Sequence, residues 1–284
     1  MAIFLSAFSY MKLKIHIFCF LVILIFVIPC NAQISEMPDS PYQPGENLQY
    51  VISYGFITGG KASIILEKDT LLSDSVYHFV VTARTTGIAD LLYRVHDTYE
   101  SYVNPDTDLP LKAIRNIREG NYRKYNEVVF DHVSHPDSSI VHSQSSGIHI
   151  VPKNIHDIIS GFYYFRKYFR DYKFKKGELI QIQTYFTDEL WPLRIRYAGN
   201  ETLRTKMGKV NCVKFNPVTE VGRVFMTEED MSVWFSKDNN FLPVKIRFEM
   251  RIGAVKIDLV EYEKIKYEFE SLKVKKKSRL AQVN

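Results

Sequence analysis

The sequence predicts a mainly β protein: an antiparallel sheet that curves, or closes partway into an open half β-barrel, with one amphipathic helix packed on it. Three observations carry this. Apolar and polar residues alternate with period two through most of the chain, as in half-buried strands. The alternating runs recur at roughly ten-residue spacing between Gly, Asn, Asp and Pro, the pattern of hairpins in sheets that curl. Aromatic side chains, which suit pleated surfaces, make up 14% of the chain, with 18 Tyr and 19 Phe in 284 residues.

The elements follow in order. Leu48, Tyr50, Ile52 and Tyr54 share one face of a first strand, and Lys61 to Glu67 returns after Gly55, Gly59 and Gly60. Tyr77, Phe79 and Val81 alternate next, Thr86 to Leu92 reads as a short helical turn, and Arg94 to Val103 is a strand. Leu111 to Ile117 and Tyr122 to Asp131 flank the turn at Glu119-Gly120-Asn121. Ser134 to Gly147, rich in Ser and without a clear period, is expected as an exposed loop. Ile158, Phe162, Phe165, Phe169 and Tyr172 recur at helical steps and define one apolar face. Asn154 is the candidate N-cap of that helix, and Arg166, Lys167 and Arg170 are expected on its solvent side. Strands resume with Ile180, Ile182, Thr184 and Phe186, then Leu193, Ile195 and Tyr197. Lys209 to Lys214 alternates around Cys212, and Val233 to Leu259 supplies two further turns and three strands.

The first segment predicts export. Lys12 and Lys14 precede an apolar run, Ile15 to Pro29, broken only by His16 and Cys19. That is about 15 residues, where a membrane-spanning helix needs roughly 20. Small side chains stand before a cleavage point between Ala32 and Gln33, so residues 1–32 read as a signal peptide, with Met11 as a possible true start. Lipidation at Cys30 is the alternative, which Pro29 fits poorly. Residues 33–44, with three prolines, are expected as a flexible lead-in, 45–270 as one β-rich domain, and 271–284 as a basic tail with Lys273, Lys275, Lys276, Lys277 and Arg279. The tail suggests contact with an anionic envelope surface. A formal net charge of +5 does not mark a nucleic-acid binder, and no stretch after the leader is long enough to span a bilayer. Removal of Cys19 and Cys30 leaves Cys212 without an intrachain partner, so it is expected buried and inert.

Sites of chemistry are sparse. His132, His135, His142, His149 and His156 come without CxxC or HExxH, so no metal or cofactor site is assigned. In His96 to Glu100, alternation separates Asp97 and Tyr99 from His96, Thr98 and Glu100, so its two carboxylates cannot flank one bond. An acid–base pair there needs a second strand. Gly-rich phosphate loops and nucleophile elbows are missing, and no catalytic residue is assigned.

Two blocks carry a resemblance. Pro44 to Gly55 followed by Gly59-Gly60-Lys61-Ala62, and Ser232 to Asp238 followed by Phe241 to Ile246, resemble the exported bacterial family called domain of unknown function 3108. The resemblance implies an exported protein and supplies no catalytic residues. The closing hairpin is also similar to that of open-barrel envelope carriers of lipoproteins. The expected function is therefore non-catalytic binding or carriage of an apolar, lipid-like or glycan ligand in the cell envelope. An assembly accessory and an envelope hydrolase are the alternatives. On the carrier reading the helix is a lid, with Phe162 beside a groove and the basic side chains toward headgroups.

Overall fold

The computed structural model describes residues 38–218, 227 and 230–273. The segment expected as a signal peptide, with the cleavage expected between Ala32 and Gln33, Cys30, and the tail beyond Lys273 lie outside them.

Period-two alternation builds a fifteen-stranded antiparallel sheet. The first wing is β1 (Asn47–Tyr54), β2 (Ile57–Leu71), β3 (Asp74–Thr85), the short helix α1 (Ile88–Leu92), β4 (His96–Val103), β5 (Pro110–Glu119), β6 (Tyr122–Asp131), β7 (Ser138–Ser143) and β8 (Gly147–Pro152). The helix α2 (Ile158–Phe169) follows. The second wing contains β9 (Leu179–Ile182), β12 (Leu193–Arg204), β13 (Lys209–Pro217), β14 (Met231–Ser236), β15 (Pro243–Glu249), β16 (Ala254–Glu263) and β17 (Leu272–Lys273), and β10 (Tyr185–Phe186) with β11 (Glu189–Leu190) forms a separate small hairpin. Strand β16 returns to pair with β1, so the wings join through the two ends of the domain, and β8 and β9 are the free edges. The sheet is not closed. Its edges meet next to α2, where the His156 N–H donates to Gln183 O at 3.0 Å and the Tyr185 N–H to His156 O at 2.7 Å.

Helix α2 is a core element shared by both wings. Phe165 packs with Phe215, Phe235 and Phe241 of the second wing. Ile159 and Tyr163 pack with Leu66, Phe79 and Val103 of the first. Gly161 permits the approach, since a methyl there would lie 2.9 Å from Thr184 Cγ2. A third cluster gathers Leu48, Tyr50, Trp234 and Leu259 beneath Phe269. There Cys212 is buried, and burial pushes its thiol up to about 12, which keeps it in the unreactive protonated form.

Several expectations are corrected. The N-cap is Asp157, which accepts from the Ile159 and Ser160 N–H groups while the Ser160 hydroxyl accepts from the Asp157 N–H; Asn154 lies before it with φ of 59°. Arg166 and Lys167 are buried and not on a solvent face, because the sheet surrounds the helix. Phe162 borders no groove; it bridges the two wing clusters, 5.5 Å from the Phe235 ring. The lid reading therefore fails. Ser138–Ser143 is a strand within the stretch expected as a loop, its inward row being Ser139, Val141 and Ser143. Tyr42, expected in the flexible lead-in, is buried against Phe79 and Tyr163. Leu272 and Lys273, at the start of the stretch expected as a basic tail, pair with β13.

Candidate functional site

The inward row of the first wing runs Val81, Tyr99, Arg115 and Asn126 across β3 to β6. Beside it a cleft opens between β4–β6, the start of α2 and the β10–β11 hairpin. Val128, Phe130, Ile158 and Ile159 give it an apolar floor, and Tyr99, Arg115, Asn126 and Asp188 a polar wall. The space is narrow: about 40 Å³ is open to water centres, and one water needs roughly 10–15 Å³ on that measure.

Arg115 is the chemically distinctive group. Its guanidinium lies 5.6 Å from the Phe186 ring, and its buried Nε has no hydrogen-bond partner. An unmatched buried donor costs about 1–3 kcal/mol, so an acceptor entering the cleft here relieves a standing penalty. Burial pushes the Tyr99 phenol up, and the Arg115 charge opposes this. Just outside the cleft, Glu119 is held above the usual carboxylate range by burial and by Asp97, its hydrogen-bond partner. Strand β5 thus supplies the second carboxyl that the strand His96 to Val103 lacks on its inner face. Neither carboxyl lines the cleft.

The tip of the hairpin over the cleft is anchored to the first wing through Asp188. Thr187 and Asp188 both adopt the left-handed conformation, with φ of 55° and 68°. A two-residue hairpin turn requires this, and β-branched Thr adopts it reluctantly. Asp188 accepts hydrogen bonds from Ser143 Oγ at 2.6 Å, Ser145 Oγ at 2.7 Å and Asn126 Nδ2 at 2.9 Å, with Lys124 at 3.6 Å. Burial alone would raise its pKa, but the hydroxyl and amide donors outweigh it and bring Asp188 down to about 2. Its folded pKa is depressed, so the latch contributes above the ordinary Asp range and is lost as pH falls through about 2.

Other polar groups serve the frame. Arg166 makes a two-pronged pair with Glu46, at 2.7 and 3.1 Å, with both side chains 0% exposed. Lys167 pairs with Asp108 at 2.6 Å, and Ser101 Oγ donates to Asp157 at 2.6 Å. These contacts tie α2 to β1, the β4–β5 loop and β4. The histidines are dispersed. His132 sits between Ser139 Oγ and Pro110 O, His149 meets Ser146, and burial pushes His156 down to about 4. Among the described residues no three His, Cys, Asp or Glu side chains converge on one point.

Sequence reasoning missed Arg115 and the hairpin. Period two puts Ala113, Arg115 and Ile117 on one face, which placed a cation on an inward row. The signal was masked because Ile114 sits on the other face. The run Ile180 to Phe186 read as one strand, but it breaks after Ile182 and turns at Thr187-Asp188, which lacks the usual turn glycine.

The described residues thus form an open, mainly β antiparallel sheet with one helix packed against both of its wings. Over residues 49–260 it matches the model of the family described as Protein of unknown function (DUF3108), and the chain belongs to that family. In fold it is similar to a beta-barrel-like protein of domain of unknown function DUF1849 from Brucella abortus, with 9% identity and a TM-score of 0.49 over 79% of this chain and 99% of that one. No functionally curated protein gives a match.

Proposed function

We propose that the chain is an exported cell-envelope protein that binds or carries a ligand and does no chemistry on it. The signal-like first segment supports export. The observation that carries the binding reading is the unpartnered Arg115 Nε in a cleft with an apolar floor. Such a site suits a ligand with an apolar part and an oxygen acceptor, which covers both the lipid-like and the glycan classes. The narrow opening suits a small oxygen-bearing group of the ligand under the hairpin, with the rest of the ligand outside.

The test uses protein isolated from cells that export it. Its N-terminus should be Gln33, and solvent extraction should release a small molecule detectable by mass spectrometry. The Arg115→Leu variant should retain that molecule about tenfold or more less well, given a charge-assisted hydrogen bond of roughly 1.5–3 kcal/mol. Equal retention by both proteins would remove Arg115 from the reading, and a start at a lipidated Cys30 would make the protein membrane-anchored.

A further inference from the structure

Four connections lie at one end of the sheet: the β1–β2 turn, the β3–β4 link with α1, the β5–β6 turn and the β15–β16 turn. They touch in series. Tyr54 Oη donates to Ile252 O, the Thr86 N–H to Gly59 O at 2.9 Å, and the Gly120 N–H to Arg94 O at 2.7 Å. Together they make one continuous rim.

On this rim large apolar side chains stand in solvent. Phe56 is 97% exposed, Leu91 84%, Leu92 81% and Ile252 78%, joined by Ile57 and Ile88. Single exposed apolar residues need no explanation, but a cluster of this size on adjoining turns does. Helix α1 makes the point sharply, because none of its residues is buried. Its Ile88, Leu91 and Leu92 add nothing to the core.

The exposed charges of these four connections are mostly basic. Lys61, Arg84, Arg94, Arg118, Arg123 and Arg251 are exposed. The acids of the four connections are half-buried and engaged: Asp90 by Thr85 and Arg94, Glu119 by Asp97, and Glu249 by Arg247. The surface offered to a partner is thus apolar tips among cations.

We infer that this rim docks on an anionic phospholipid bilayer. The apolar tips enter the boundary between headgroups and acyl chains, and the guanidinium groups meet lipid phosphates. A bilayer fits better than a protein partner. The apolar side chains project from separate turns, and a fluid surface can receive each one independently. Exposed cations outnumber exposed acids on these turns, which suits a partner dense in negative charge. The inference is independent of the cleft, since none of these side chains lines it.

Vesicle flotation of the native protein tests it, with phosphatidylcholine vesicles and with vesicles of phosphatidylcholine mixed with phosphatidylglycerol. The wild type should float with the mixed vesicles, more weakly with pure phosphatidylcholine, and less at high salt. The triple variant Phe56→Ser, Leu91→Ser, Leu92→Ser should keep its melting temperature, since its targets are exposed. It should lose about tenfold or more of its vesicle affinity, the effect expected from even one withdrawn Leu. Arg94→Gln with Arg251→Gln should weaken binding to mixed vesicles by about fivefold per charge. Leu72→Ser, 93% exposed at the opposite end of the sheet, should change nothing. Failure of the wild type to float would overturn the inference. So would flotation of the triple variant as strong as wild type, which would place membrane contact elsewhere, or an equal loss in Leu72→Ser.

Discussion

Replacing Glu46 by Ala should lower folding stability by about 3–5 kcal/mol, the usual cost of breaking a buried ion pair. Among the described residues the carboxylate is the only anion within hydrogen-bonding reach of Arg166, and both side chains are 0% exposed. Without it the guanidinium keeps the Asn240 carbonyl at 3.1 Å and the ring of Tyr163 at 4.8 Å, but no counter-charge. The loss should appear in urea melts as a lower midpoint with an unchanged slope. Removing both charges, as Glu46→Leu with Arg166→Met, should be much milder than Glu46→Ala, since it leaves no stranded charge. A loss under about 1 kcal/mol in the single variant, the range of exposed pairs, would mean that water reaches the site and that α2 is not held as described.

Phe165→Ala should cost a similar amount, about 3–5 kcal/mol. The Phe165 ring stacks on Phe169 at 5.2 Å and meets Phe215, Phe235 and Phe241 within 5.8 Å. Truncation opens a void where several rings converge and cannot easily collapse, because Phe215 and Phe235 are fixed on strands, Phe169 on α2 and Phe241 in the β14–β15 turn. The ligand affinity of the molecules that remain folded should not change, since Phe165 does not line the cleft. Weakened binding at full stability would instead restore the lid reading that the packing of the helix overturns.

The strands were legible because half-buried sheet residues must alternate. Leu48, Tyr50 and Ile52 did so, as did Val233 and Phe235, and all fall within strands. The apolar stripe of α2 was legible for the matching reason at helical period. Its surroundings were not. Charged residues opposite an apolar stripe normally face water, and only the tertiary arrangement brings Glu46 and Asp108 to Arg166 and Lys167. Partners separated by 120 and 59 residues leave no local mark. Strand β7 was hidden because its inward row is mostly serine: Ser139 meets His132, and Ser143 meets Asp188. Tyr42 was hidden by the prolines around it, which suggest an unstructured lead-in even where the chain docks.

The candidate site was less legible than the fold. Arg115 reads in sequence as one of several cations in a strand, and what distinguishes it is an unpartnered Nε at the wall of a cleft. The hairpin that covers it depends on Asp188 reaching three serines and an asparagine on the far wing. Both features arise where β4–β6 meets the segment after β9, and local periodicity carries no information about such junctions.

Hydrogen exchange locates the ligand most directly. The native protein carrying its copurified molecule is compared with the same protein after that molecule has been extracted. Exchange should slow in the bound form for the backbone amides of 185–190, the β10–β11 hairpin, and for those around Arg115 in β5. Uniform exchange in the two forms, or protection confined to other parts of the sheet, would contradict a binding site beneath the hairpin.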